Sequence, residues 1–300
     1  MLALPKNVLI EDEALRDGLQ NETRLFSVEE KLSLIAAIAD AGVRRIQVGS
    51  FVHPKWAPQM ANTDEVFAAL PAREGVVYSG LVLNRAGLDR ALKVGVRHLS
   101  ISVSASETHS RKNANKSTDE ALADILPTIE RALSEGVAVR AGVQSALGCG
   151  FEGASDPARV LQLARAYPAA GAGEINIPDP AGLADPALVD RVIGLLSDAL
   201  PDVTLSLHLH DTRGLGLANM LAGLNAGVTV FDAAVGGIGG CPFIPKATGN
   251  IATEDAAFMC QRMGVETGID FAMLRPVALR IAQMLERRVP SRMAYLADAA

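Results

Sequence analysis

The chain is poor in cysteine: Cys149, Cys241 and Cys260 are an odd number spread widely over 300 residues. That argues against a disulfide framework and fits reduced thiols. It also lacks any dense run of lysine and arginine, and 28 basic against 34 acidic side chains leave a formal charge of −6. No nucleic-acid or anionic-membrane surface is expected, and a phosphate-bearing ligand would need a local basic loop. No uncharged apolar run approaches the length that spans a bilayer, and the opening MLALPKNVLIEDE turns acidic before a signal-peptide core could form. The expectation is a cytoplasmic protein. There is no Ser/Pro-rich linker, no low-complexity segment, and no G-x-G-x-x-G after the first strand-like segment, which counts against a doubly wound dinucleotide fold.

What is present is alternation. Strand-like segments recur at Val8–Glu13, Arg45–Ser50, Val76–Leu83, His98–Ser104, Val137–Val143, Glu174–Pro178, Thr204–His210 and Val230–Val235. Each is followed by helical periodicity, from Ser27–Ala41 to Ile251–Met263, with Ser27-Val-Glu-Glu30 as a capping box and Gly42, Gly95, Gly136, Gly171 and Gly227 just past helix ends. Eight such units predict a closed (β/α)₈ TIM barrel over residues 1–265. Residues 266–300 are expected as a helical extension, since Leu274, Val277, Ile281 and Leu285 form a stripe along Asp270–Arg288 that would pack on the barrel or on a second subunit.

In such a barrel the residues just after the strands build the active site. Here they are Arg16-Asp17-Gly18, Ser50-Phe-Val-His53, Asp179, His208-Leu-His210 and the run GGIGGCPF that carries Cys241. In an extended strand His208 and His210 share a face. An isolated H-x-H reads equally well as two core histidines satisfied by hydrogen bonds, but at the rim beside Asp17 it favours a mixed oxygen and nitrogen site. That donor set suits Mg²⁺ or Mn²⁺, with zinc or iron also compatible. Cys241 is either a buried inert thiol or, on its flexible loop, an acid or base that swings into a pocket.

RDGLQNE (Arg16–Glu22), SFVHPKWAPQM (Ser50–Met60), ALGCGFEG (Ala146–Gly153), HLHDT (His208–Thr212), GGCPF (Gly239–Phe243) and ATGNIATED (Ala247–Asp255) together resemble the 3-hydroxy-3-methylglutaryl-CoA lyase family, in order and spacing. The resemblance implies a TIM barrel with a divalent cation at its C-terminal rim, held by Asp17, His208, His210 and Asn250. It implies a retro-Claisen cleavage of 3-hydroxy-3-methylglutaryl-CoA to acetyl-CoA and acetoacetate, as in leucine degradation. Arg16 would stabilise the charge growing on the thioester oxygen, Cys241 would protonate the departing acetyl-CoA carbanion, and Asp179 would shuttle the hydroxyl proton, directly or through a metal-site histidine such as His208. Gln47 and Ser50 would line the substrate. The loop Ser110–Lys116 supplies a local basic patch, Arg111, Lys112 and Lys116, for the CoA phosphates, although such loops are often merely solvated. A homo-oligomer is expected.

Two positions depart from the family pattern. Gln47 stands where the family has a glutamate, and Pro180 stands where a threonine follows the aspartate. The first is expected to leave Arg16 less constrained and the pocket one negative charge short. An intact metal site with an altered pocket also fits a related 3-hydroxyacyl-CoA such as citramalyl-CoA. A condensing synthase built on the same H-x-H barrel is the other alternative, against which the GGCP loop and the RDGLQNE form of the first motif count. A binding protein without turnover is the third.

Overall fold

The protein's structure, a computed structural model, describes residues 3–240 and 248–296. Eight parallel strands close into a barrel in sequence order: β1 (Leu9–Asp12), β2 (Arg45–Ser50), β3 (Val77–Val82), β4 (His98–Ser104), β5 (Ala138–Gln144), β6 (Glu174–Asp179), β7 (Thr204–Leu209) and β8 (Val230–Ala233). The helices among the described residues are α1 (Val28–Asp40), α2 (Thr63–Ala69), α3 (Arg85–Lys93), α4 (Glu107–Ala114), α5 (Thr118–Ser134), α6 (Pro157–Ala169), α7 (Pro186–Ala199), α8 (Gly216–Asn225), α9 (Thr253–Arg262) and α10 (Phe271–Met284). The TIM barrel predicted from the alternation is the fold observed. None of these helices is long and apolar enough to cross a membrane.

Local chemistry starts the helices where the sequence suggests. Ser27 Oγ accepts the Glu30 N–H at 3.2 Å while the Glu30 carboxylate takes the Ser27 N–H at 2.9 Å, and Ser117 and Glu120 repeat the arrangement at α5. One expectation fails: most of Ser110–Lys116 is not a loop but the end of α4. Ser106 Oγ caps this helix by accepting the His109 N–H at 3.1 Å, and Asn115 ends it in the left-handed region at φ 55°. Its sequence, ETHSRKNA, carries no apolar stripe, so periodicity had nothing to report.

The apolar core lies between strands and helices. Ile46, Val48, Leu99, Ile101, Ile175, Ile177, Leu207 and Phe231 are buried there with Ile35, Ile38, Leu88, Ile129, Leu163, Ile193 and Met220. The inside of the barrel is different. Interiors of this fold are dominated by branched apolar side chains, whereas here Glu11, Gln47, Ser79, Ser100, Arg140, Asn176, Ser206 and Asp232 are buried among one another. Arg140 on β5 is the cross-tie. Its Nη1 binds Asp232 of β8 and lies 3.1 Å from Glu11 of β1, its Nη2 binds Glu13 at 2.8 Å, and Ser100 of β4 accepts from it at 3.1 Å. Below it Arg45 of β2 joins Glu11 (2.7 Å) to Glu174 of β6 (2.8 Å). Charges this deep persist only because every one is paired.

After β8 the chain turns at Val235–Gly237 and reaches α9. The last segment is fastened to that turn. Asp255 accepts from Ser291 Oγ (2.9 Å) and from the backbone of Arg292 (3.0 Å) and Met293 (2.9 Å), and Ser291 donates to Gly236 O at 3.0 Å. Helix α10 meets α1 through the Asp270 N–H bonded to Ala41 O at 2.8 Å.

Arg140→Met removes the cation and leaves Asp232, Glu11 and Glu13 facing one another. The expected loss is about 3–5 kcal/mol of stability, read as a fall in Tm of roughly 6–15 °C by thermal denaturation; an unchanged Tm would contradict the cross-tie.

Candidate active site at the barrel mouth

Beyond β1 the chain does not run straight into a loop. A single π-helical turn, Ala14–Gly18, closed by Gly18 N–H to Glu13 O at 3.1 Å, sets Arg16 and Asp17 side by side over the mouth. There Asp17 meets the end of β7. Its Oδ2 lies 3.3 Å from His210 Nε2, and Asp17, His208 and His210 each offer a donor atom within 4.8 Å of the others. The two imidazole centroids are 4.9 Å apart.

Asn250 arrives from the far side of the mouth. Residues Gly249–Ala252 lie along the ends of β7 and β8, with Asp211 N–H bonded to Gly249 O at 2.8 Å, Ile251 N–H to Leu209 O at 3.0 Å, and His210 bridged to Asn250. The Asn250 amide then spends both its donors, on Asp17 Oδ2 at 2.8 Å and on Ile238 O at 3.0 Å. Its Oδ1 is buried without a partner, as are both ring nitrogens of His210. Unsatisfied buried lone pairs are costly, and one of them, His210 Nε2, lies beside an acidic oxygen, Asp17 Oδ2. The residues therefore fit a divalent cation: a carboxylate, an amide oxygen and two imidazoles.

Electrostatics favour the same state. Burial alone would push the Asp17 carboxyl up, but the Arg16 guanidinium, then His210, outweigh it and hold it well below the usual carboxylate range. Burial pushes His210 down, which keeps its lone pair free. His208 is turned by its other nitrogen: Nδ1 sits 3.3 Å from Asp232 and 3.5 Å from Glu13, the outer-shell carboxylate arrangement that orients metal-binding histidines. Burial works against a charge on Asp232, yet Arg140 and then His208 hold its carboxyl far down.

Arg16 is not loosened by Gln47. The expectation is overturned because three acceptors hold the guanidinium: Gln47 Oε1 on Nε, Glu13 Oε2 on Nη2, and Asp17 Oδ1 on Nη1 at 2.6 Å. The connected network sets Arg16, Arg45 and Arg140 against Glu11, Glu13, Asp17, Glu174 and Asp232, two more acidic than basic side chains, and burial pushes the Glu13 carboxyl up to about 7 against the pull of Arg16.

The other predicted residues fall apart from this group to differing degrees. Asp179, at the end of β6, is fully buried and takes the Leu183 and Ala184 N–H groups at 2.9 Å each; burial raises its carboxyl against those two bonds. Its neighbour Pro180, not Asp179, lines the mouth cavity with Arg16, Asp17, Arg140 and His208. Ser50 is buried at the end of β2 with its hydroxyl between Leu81 O (3.4 Å) and Val52 N–H (3.3 Å), and it is not among the lining residues. Arg111 pairs with Glu107 at 2.7 Å, Lys112 lies 4.9 Å over the Phe151 ring, and Lys116 pairs with Asp124. Cys241 lies outside the described residues. Sequence reasoning missed Glu13, Arg140 and Asp232, and with them the polar wall Ser100, Ser102, Gln144 and Asn176. Their signal is polar residues at every second strand position, S-x-S in β4 and R-x-G-x-Q in β5.

A family model described as HMGL-like matches residues 7–281. The chain belongs to the HMGL-like family. Among its relatives, the hydroxymethylglutaryl-CoA lyase of Pseudomonas mevalonii is 41% identical over 270 residues, 90% of each chain. Of the solved structures, the HMG-CoA lyase of Bacillus subtilis superposes with a TM-score of 0.94 at 38% identity, covering 97% of this chain and 98% of its own. An HMG-CoA lyase from Acinetobacter baumannii, in complex with coenzyme A and 3-methylmalate, gives 0.92 at 33% identity with both chains fully covered.

In this HMGL-like barrel the approach of one backbone is decisive. Gly239 has φ +134°, and a Cβ there would come 2.6 Å from Asn250 Nδ2 and 3.1 Å from Asp17 Oδ2. Gly239→Ala, which alters none of the donors, is expected to weaken Mn²⁺ binding by about 10-fold or more, within the range seen when outer-shell support is lost. Electron paramagnetic resonance of free Mn²⁺ checks this; wild-type affinity would show that the donors do not depend on this close approach.

Proposed function

We propose that this chain is a divalent-metal-dependent lyase that cleaves 3-hydroxy-3-methylglutaryl-CoA to acetyl-CoA and acetoacetate. What carries the reading is the juxtaposition, in a member of the HMGL-like family, of the Asp17, His208, His210 and Asn250 donors with a rigidly held Arg16 at the barrel mouth. Mg²⁺ or Mn²⁺ bound by those four side chains would supply a Lewis acid for the substrate's tertiary hydroxyl. The chain's own groups account for the remaining steps.

Asp179 takes up the hydroxyl proton by relay through a water or a metal-site histidine, since its carboxylate, held by two backbone N–H groups and raised in basicity by burial, lies behind the cavity wall. As the carbon–carbon bond breaks, the electron pair moves onto the acetyl-CoA half and charge grows on the thioester oxygen. Arg16 meets that charge with a guanidinium already fixed by its neighbours, so no reorganisation is needed in the transition state. Cys241 returns a proton to the acetyl-CoA carbon. In the same reading Arg111, Lys112 and Lys116 take the CoA phosphates. Their present partners are exposed, and exchanging such pairs costs little. The protein would act in the cytoplasm, as an oligomer, in leucine breakdown.

A cleavage assay with Mg²⁺ or Mn²⁺ across 3-hydroxyacyl-CoA thioesters, citramalyl-CoA included, tests the proposal. Acetoacetate release from 3-hydroxy-3-methylglutaryl-CoA is expected, abolished by EDTA and reduced about 100- to 1,000-fold in kcat by Arg16→Met, the scale for losing one transition-state donor. Cleavage of no thioester, or full activity of Arg16→Met, would sink it.

A further inference from the structure

Resting on the lyase reading, we propose that Glu13 and Gln47 are a matched acid and amide pair that positions Arg16, so that in this chain a glutamate at position 47 would impair the enzyme. The two side chains enter the barrel from just past β1 and from β2 and grip adjacent edges of one guanidinium: Glu13 Oε2 accepts from Nη2 and Gln47 Oε1 accepts from Nε. Each has a second, incompatible task. Glu13 Oε1 accepts from Arg140 Nη2 at 2.8 Å, so one carboxylate bridges the barrel's central cation and the arginine at its mouth. An amide could offer only one of those two oxygens.

Gln47 uses both ends of its amide. Its Nε2 donates to Ser100 Oγ at 3.0 Å and faces Glu11 Oε1 at 3.5 Å. Glu11 is buried and already committed to Arg45, Arg140 and Ser79. A carboxylate at position 47 would lose both donor hydrogens and set two negative groups 3.5 Å apart in the dry interior. It would also raise the network's excess of acidic over basic side chains from two to three. The carboxylate that serves Arg16 thus comes from the residue just past β1, and the amide on β2 follows from its presence there. Glu13 lines the cavity, while Gln47 lies beneath it and acts only through Arg16.

The test is a double-mutant cycle on the full-length, metal-loaded protein: Glu13→Gln, Gln47→Glu and the two combined, each read by kcat, KM, Mn²⁺ affinity and Tm. Glu13→Gln is expected to lower kcat about 10- to 100-fold, the scale of a misplaced transition-state group, with KM changed by less than about threefold, and the Mn²⁺ titration separates any loss that comes through its contact with His208. Gln47→Glu alone lowers kcat and Tm. The combination, which restores the total charge, is more active and more stable than the two single effects predict together. A Gln47→Glu protein with higher kcat than wild type, or strict additivity in kcat, overturns the pairing. An inactive wild type would instead overturn the lyase reading, and the Tm cycle then decides the pairing alone: non-additive recovery supports it and additivity rejects it.

Discussion

A guanidinium at the axis of a parallel barrel, surrounded by carboxylates from several strands, sets the terms for everything above it. Arg140 cannot shed its charge, and desolvating it is tolerable only while Asp232 and Glu11, both held below the usual carboxylate range, stay ionised around it, with Glu13 as a further acceptor. Those carboxylates are in turn bound on their free sides. Asp232 turns His208, Glu13 holds Arg16, and Glu11 ties Arg45 and, through Gln47, the second strand. The polar interior is thus a scaffold that runs from the closed end of the barrel to its mouth, with each charge fixing the orientation of the next.

Its upper end is left incomplete in one specific sense. The network holds two more acidic than basic side chains, and Asp17, His208 and His210 bring donor atoms within 4.8 Å of one another, with the Asn250 amide against Asp17. One divalent cation answers both the acidic excess and these donors. Arg16 stands immediately beside it, immobilised by three acceptors, and gains catalytic value because its position is settled before substrate enters. Family membership and site geometry therefore point the same way, from independent observations.

The repeating β/α alternation and the glycines after several helices made the barrel legible, because helix and strand periodicities differ so clearly. The rim histidines and Asp17 were legible for a similar reason: they follow strands directly. Asn250 came only through the family resemblance and not from the strand pattern, since it belongs to a stretch that borrows the ends of β7 and β8 as partners and has no strand pattern of its own. Helix α4 escaped because a short capped helix without an apolar face looks like a polar loop. The larger gap concerned Gln47. Judged alone, the missing carboxylate suggested a loosened Arg16; only the three-dimensional neighbourhood shows Glu13 one strand away doing that work, a substitution between positions 34 residues apart that no local pattern reports.

A scaffold with more acidic than basic side chains is completed at the barrel mouth by one divalent cation. Isothermal titration of Mn²⁺ into the metal-free protein tests this most directly. The account predicts one ion per chain in the wild type and no measurable binding in Asp17→Ala or His210→Ala, with both variants still folded by circular dichroism. Stoichiometric Mn²⁺ binding retained in either folded variant would contradict it.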